Sequence, residues 1–364
     1  MAVTSRNPKL IVDLKKLRHN IQKANCMFED VEIELAAVIK GFNGIPELVE
    51  QYEKAGVTFI ASSRLEQLEP LKDLDIQTPL MMIRIPGLSE VPDVIRITDI
   101  SLNSEIEVLK ELNDEARRQD RKHQVILMVD LGDLREGFWD RDELLEAALM
   151  VENDLYNLEL AGIGTNLGCY GAIAATPEKL QELIGCAEMI EEKIGRELQY
   201  ISGGASTSMS RVLNGDMPKR INMLRVGEAL LIPTFLEENF GSDISMFYKD
   251  VFTLRAEVLE VKDKPTYPVG EITVDAFGNK PDYVDRGIRR RALLGIGKVD
   301  YAFPEKLMPR LKGVEVLGAS SDHTILDVED AEVKLEVGDY VDFDLCYATM
   351  VYATNSANIE KVFI

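Results

Sequence analysis

Cysteine is sparse in this chain of 364 residues: there are four, Cys26, Cys169, Cys186 and Cys346, and no Cys-x-x-Cys pair. A chain of this length does not need covalent staples. The pattern therefore excludes a disulfide framework and points to reduced thiols in the cytoplasm. Histidine is rarer still, at His19, His123 and His323, with no His-Glu-x-x-His spacing, so no metal centre is expected. No run approaches the roughly 20 apolar residues that span a bilayer. The opening Met1-Ala2-Val3-Thr4-Ser5-Arg6-Asn7-Pro8 has no hydrophobic signal core. Positive charge is also short: 41 Lys and Arg stand against 63 Asp and Glu, a net charge of −22. Such a surface repels phosphate backbones and anionic lipid, which excludes nucleic acid and the membrane surface as partners. A local basic pocket can still hold a small phosphate. Low-complexity tracts are absent, and 46% hydrophobic residues against 29% charged is the balance of a folded chain.

What is there is a repeated alternation. Eight short β-branched runs are expected as strands: Ile33–Lys40, Thr58–Ser62, Pro79–Arg84, Ile97–Leu102, Gln124–Asp130, Leu158–Thr165, Gln199–Ser202 and Met223–Gly227. Amphipathic stretches such as Glu105–Arg118, Arg141–Glu152 and Pro177–Gly195 lie between them, and a further helix at 13–24 precedes the first strand. Lys40 and Arg225 are 185 residues apart over seven steps, about 26 residues per step, close to the minimal βα unit. Eight such units predict a (β/α)8 TIM barrel rather than an open sheet. Near residue 240 the texture changes. Leu236–Ser242 reads as a linker, and beyond it come β-rich runs at Phe252–Val261, Glu271–Asp275, Leu293–Val299, Val314–Gly318, His323–Val328 and Tyr340–Leu345. Turn signals at Gly278-Asn279, Lys280-Pro281 and Glu329-Asp330 separate them. The expected division is an α/β barrel over 1–240 and a C-terminal all-β domain over 241–364.

In such a barrel the chemistry sits at the C-terminal ends of the strands. The first strand delivers Lys40 after the apolar run Ala36-Ala37-Val38-Ile39, a setting that depresses a lysine pKa and makes the amine nucleophilic. The seventh ends in Ser202-Gly203-Gly204-Ala205-Ser206-Thr207-Ser208. Its glycines let backbone N–H groups converge, and a helix N-terminus follows, which favours an anion. A lysine and a phosphate cradle in one barrel mouth fit pyridoxal phosphate; they also fit a Schiff-base aldolase acting on sugar phosphates.

Further motifs add specificity. They are Asn7-Pro8-Lys9-Leu10-Ile11-Val12-Asp13-Leu14, Ala37-Val38-Ile39-Lys40-Gly41, Val129-Asp130-Leu131-Gly132 with Arg135 and Gly137, and Arg225-Val226-Gly227-Glu228. Together with Ser202–Ser206 they resemble, in order and over nearly the whole chain, the fold-type III pyridoxal-phosphate enzymes of the alanine racemase group. Gly164–Gly171 and Gly318–His323 resemble the ornithine branch of that group.

The resemblance implies an amino-acid racemase acting on ornithine or a similar basic amino acid, with pyridoxal 5'-phosphate bound. In it Lys40 holds the cofactor and serves as one base. Ser202, Gly204, Ala205 and Ser206 hold the phosphate with Tyr352, Gly227 belongs to the cofactor site, Arg225 faces the ring nitrogen, Asn166 hydrogen-bonds a cofactor oxygen, and Arg135 either neutralises the phenolate or binds the substrate carboxylate. A homodimer with shared active sites is implied too. Lys298 stands where the alanine enzymes carry their second base, a tyrosine, so that role passes to Asp322, His323, Tyr301 or Lys298, with the Asp322/His323 pair preferred. Asp133, Glu136, Asp140 and Glu228 are acids that could meet a basic side chain. The competing activity is a decarboxylase of a basic amino acid on the same barrel. A non-catalytic pyridoxal-phosphate carrier resembles the barrel alone, and the extra β domain argues against it.

Overall fold

The computed structural model describes residues 7–280 and 282–364. Residues 1–6, and Pro281 of the Lys280-Pro281 turn, lie outside them. The chain divides into two compact units: Leu17–Lys249, and Met1–Lys16 with Asp250–Ile364. The division thus falls at 249/250 rather than 240/241, and the opening segment joins the second unit. Numbered in chain order, the first strand, β1 (Lys9–Val12), belongs to that second unit.

The first unit is the barrel. Strands β2 (Glu34–Val38), β3 (Phe59–Ser62), β4 (Leu80–Met82), β5 (Ile100–Asn103), β6 (His123–Met128), β7 (Leu158–Gly164), β8 (Tyr200–Ser202) and β9 (Met223–Val226) close into a parallel ring. All eight expected strands are present, each shortened at one or both ends. Parallel strands covered on both faces read as continuous apolar runs, and Leu35 to Ile39 is such a run, wholly buried. The interior is packed by small and large residues together, among them Ala36, Val38, Ala61, Met81, Ile126, Met128, Ala161 and Met223, so it is a filled core and not a pore.

The connecting helices are set by local chemistry. Ile106–Arg118 turns Val108, Leu109, Leu112 and Ala116 inward at helical spacing. Asp140 caps Arg141–Asn153 by accepting from the amides of Asp142 at 2.8 Å and Glu143 at 3.2 Å. Thr176 caps Pro177–Ile194, which has proline in its first turn and ends at Gly195. Residues 236–242, expected as a linker, lie mostly within the helix Thr234–Phe240, which buries Leu236 and stops at the left-handed Gly241.

The second unit is mainly antiparallel. Its central path is β12 (Met308–Pro309), β15 (Tyr340–Asp344), β10 (Phe252–Pro265), β11 (Ile288–Leu294), β14 (Thr324–Asp327) and β13 (Glu315–Ala319). β1 pairs antiparallel with β10, Lys9 opposite Arg255 and Val12 opposite Phe252. It also runs parallel to the last strand, β16 (Glu360–Phe363). Sharing one sheet with both ends of the unit is what brings the opening segment there. Two expectations fail locally. Glu271–Asp275 is not a strand; Asp275 Oδ1 accepts from the amides of Phe277 at 2.9 Å and Asn279 at 2.8 Å and makes a turn instead. The unit is also not purely β, because Tyr347–Asn355 is a helix that buries Thr349, Met350, Ala353 and Thr354.

Candidate active site

Lys40 begins a single 3-10 turn, Lys40–Phe42, directly after β2, and Asn43 closes it in the left-handed conformation. No hydrogen bond or ion pair holds its Nζ among the described residues. Burial pushes its pKa down, and the charges that act on it come from Cys169, Arg135, Glu136 and Arg225. The barrel ring therefore gathers groups from β2, β9 and the loops after β6 and β7 around one amine.

Arg225 on β9 is 4% exposed. It donates from Nη1 to Ser202 Oγ at 2.5 Å and from Nη2 to the Thr165 carbonyl at 2.7 Å. Burial lowers its pKa to about 10, which still leaves it cationic at neutral pH. Room for it comes from Gly164, where a Cβ would stand 3.1 Å from Ser202 Cβ and 3.4 Å from Arg225 Nη1. Ser202, expected on the phosphate, is instead occupied by Arg225 and fully buried.

Gly204 has φ +117, and a Cβ there would lie 2.5 Å from Ser208 Oγ. The loop is thus open only to glycine, and it leads into the helix Ser206–Asn214, where the amide of Ser208 donates to the Ala205 carbonyl at 3.0 Å and the amides of Ser206 and Thr207 precede the helical hydrogen bonds. Ser206 Oγ accepts from the amides of Gly227 and Ala229, each at 3.2 Å. That hydroxyl ties the β8 and β9 loops together and still has its proton to donate.

Arg135 follows Leu134, which sits in the left-handed region at φ +56. Its guanidinium pairs bidentately with Glu136, and Nη1 lies 3.0 Å from Cys169 Sγ. Burial alone would lower its pKa, but the hydrogen bonds to Glu136 outweigh that and raise it. Cys169 is exposed. Asp133, 1% exposed, accepts from the amides of Cys169, Tyr170 and Ile173 at 2.9–3.3 Å and so ties the β7 loop to the β6 loop. Next to Thr165, Asn166 is buried and its Nδ2 has no partner.

Known proteins are similar to this chain in sequence and in fold. The family description "Alanine racemase, N-terminal domain" matches residues 12–234. The chain is 42% identical to ornithine racemase of Acetoanaerobium sticklandii, over 97% of this chain and 99% of that protein. It is 37% identical to lysine racemase of Thermotoga maritima, over 98% of each. An alanine racemase from Bartonella henselae, solved with covalently bound pyridoxal phosphate, superposes with a TM-score of 0.76 at 16% identity, covering 99% of this chain and 100% of that one.

This chain belongs to the alanine racemase family. It is a pyridoxal-phosphate-dependent amino-acid racemase.

The racemase site fits that cofactor on its own chemistry. An aldehyde needs a free amine, and Lys40 Nζ is one. A phosphate needs converging donors, and the Gly204 loop with the helix start at Ser206 supplies them. A polar ring oxygen needs a donor, and Asn166 Nδ2 is a buried donor without an acceptor.

The remaining expected residues lie in the second unit. Tyr352 stands half-exposed on the helix Tyr347–Asn355, its ring 5.8 Å from that of Phe303. The Asp322/His323 pair forms an exposed turn closed by Ser320, whose amide donates to the His323 carbonyl at 2.8 Å. This turn meets the Lys298 segment: the amide of Lys298 donates to the Ser320 carbonyl at 2.9 Å and that of Val299 to the Ser321 carbonyl at 3.1 Å. Lys298 Nζ is taken up by Asp275 at 3.6 Å and by the Phe277 ring at 4.3 Å. Tyr301 is fully buried, with its hydroxyl 2.6 Å from Thr324 Oγ1, and burial raises its pKa to about 12. That makes Tyr301 a core residue and not a base near neutral pH. Sequence reasoning missed one contributor, Cys169, whose signal was position, since it sits in the loop directly after a barrel strand.

Proposed function

We propose that this racemase interconverts the enantiomers of ornithine or a similar basic amino acid in the cytoplasm. The observation that carries the reading is Lys40: an unpartnered amine at the barrel rim, set among Arg135, Glu136, Cys169 and Arg225. The two basic amino-acid racemases that match over nearly the full chain support the substrate class.

When bound, pyridoxal phosphate supplies an electron-accepting ring that lowers the cost of negative charge at Cα. Lys40 would hold it, Gly204, Ala205, Ser206 and Gly227 would receive the phosphate with Tyr352, and Asn166 and Arg135 would face the phenolic oxygen. Lys40 would take the substrate α-proton from one face. Arg225 keeps its own protons and would face the ring nitrogen, which would favour return of a proton to Cα over loss of the amino group. Ser202 holds Arg225 in place. The Asp322/His323 pair serves the opposite face. Support for the pair is its exposure in one turn beside the Lys298 segment.

We also propose a two-fold homodimer in which each β unit completes the partner's site. Leu134, Trp139 and Tyr170, left 62%, 65% and 76% exposed in the loops after β6 and β7, support it.

The test is incubation with L- and D-ornithine, lysine and alanine in deuterium oxide, with Cα exchange and chirality as readout. Inversion with exchange, lost in Lys40→Ala together with the borohydride-reducible absorbance, is the expected result. Release of carbon dioxide without inversion would replace the racemase with the decarboxylase.

A further inference from the structure

Five acids follow strands β6 and β9 at the C-terminal end of the barrel: Asp130, Asp133, Glu136, Asp140 and Glu228. Four are engaged. Asp130 Oδ1 accepts from the amides of Gly132 at 2.8 Å and Leu134 at 3.2 Å. Asp133 holds three amides of the β7 loop. Glu136 is the ion-pair partner of Arg135. Asp140 caps a helix. Glu228 differs from these: its carboxyl has no hydrogen bond and no ion pair among the described residues.

Its position is set by the barrel. β2 and β9 run parallel in register, Ala36 beside Arg225 and Ala37 beside Val226. The next step places Gly227 against Val38, where a Cβ would stand 3.1 Å from Val38 Cβ. Glu228 and Lys40 therefore leave neighbouring strands at the same rim, and strand spacing is about 4.8 Å. Burial raises the Glu228 pKa to about 7, and Lys40 is the charge that opposes the rise. Lys40 bound to the cofactor would no longer offer Glu228 a free ammonium. A half-buried carboxylate left without a counter-charge is unfavourable. A basic amino acid brings a second ammonium into the same mouth.

We propose that Glu228 binds the distal ammonium of the substrate and is the residue that selects a basic side chain over an apolar one. This rests on the racemase reading above for the substrate class and for nothing else. The carboxylate accepts a charge-assisted hydrogen bond from the ammonium; no proton leaves the substrate at this end.

The experiment titrates the holoenzyme with ornithine and with norvaline, which has the same carbon chain without the ammonium. Dissociation constants are read from the change in cofactor absorbance. Wild type binds ornithine more tightly. Glu228→Gln weakens ornithine by about 10- to 100-fold and norvaline by less than about threefold. Glu228→Asp, which keeps the charge, recovers part of the preference. Equal losses for both ligands overturn the proposal, as does wild type that does not distinguish them. A glutamine variant that cannot load the cofactor overturns it too, because a group reserved for substrate is not needed for loading. Inversion of ornithine by wild type is measured separately. Discrimination without inversion sinks the racemase reading and leaves this assignment standing.

Discussion

Arg225 and Ser202 are joined inside the barrel by a hydrogen bond of 2.5 Å from Nη1 to Oγ. Both are buried, at 4% and 0% exposure, so water cannot replace either partner. The serine therefore fixes the position of the arginine from inside the barrel. A buried guanidinium is tolerated because Thr165 takes a second N–H at 2.7 Å.

Ser202→Ala should leave one Arg225 N–H unsatisfied. The expected cost is about 1–3 kcal/mol of stability, read from a shift of the urea midpoint with an unchanged m-value. Cofactor affinity should fall with it. A variant as stable as wild type would show that water reaches Arg225.

Asp133→Ala should loosen the β7 loop as one piece. Three amides, of Cys169, Tyr170 and Ile173, lose their acceptor together. Hydrogen exchange over residues 166–173 should accelerate while the rest of the barrel keeps its protection. Because Asn166 and Cys169 ride on that loop, cofactor affinity should drop by about 10-fold or more. Unchanged exchange there would remove Asp133 from this role.

His123 gives the acid limit of the fold. It is 2% exposed, its Nε2 lies 2.8 Å from Ser101 Oγ, and burial, aided by Arg121, lowers its pKa to about 3 from 6.5. The unfolded chain binds the proton first. Stability should therefore be lost as pH falls from 6.5 toward 3, at up to about 1.4 kcal/mol per pH unit. His123→Asn should flatten that slope in urea unfolding measured at a series of pH values. A slope unchanged by the substitution would place the acid sensitivity elsewhere.

Two-base racemisation makes the enantiomers unequal. Asp322→Asn, His323→Gln and Lys298→Met, made singly, should separate them in deuterium exchange at Cα. Loss of a general acid or base costs about 10²–10⁴-fold, and it should fall mainly on one enantiomer. Our expectation is that Asp322→Asn or His323→Gln shows this and Lys298→Met does not, since Lys298 is engaged by Asp275 and Phe277. Symmetrical losses of a few-fold in all three would move the second base to another residue.

Much of this was written in local pattern. Eight apolar runs at βα spacing determine the barrel, because strands covered on both faces cannot tolerate polar interruption. Lys40, the Gly204 loop and Arg225 were legible because a barrel places strand ends at its mouth whatever the loop lengths. Where local preference and tertiary contact disagree, the sequence was a poor guide. Tyr347–Asn355, with two Thr and two Tyr, lies in the domain expected to be all β. It is a helix because Met350 and Ala353 are buried on one side of it, at helical spacing. Glu271–Asp275 reads as a strand but finds no neighbour to pair with. Lys9–Val12 goes to the β unit because its partners, β10 and β16, lie more than 200 residues ahead in the chain. No local signal carries such pairings. The same holds for the site: sequence alone determined which groups reach the mouth. Only the tertiary structure decided which acids there are already spoken for, because partnership between side chains depends on distances between strands, not along them.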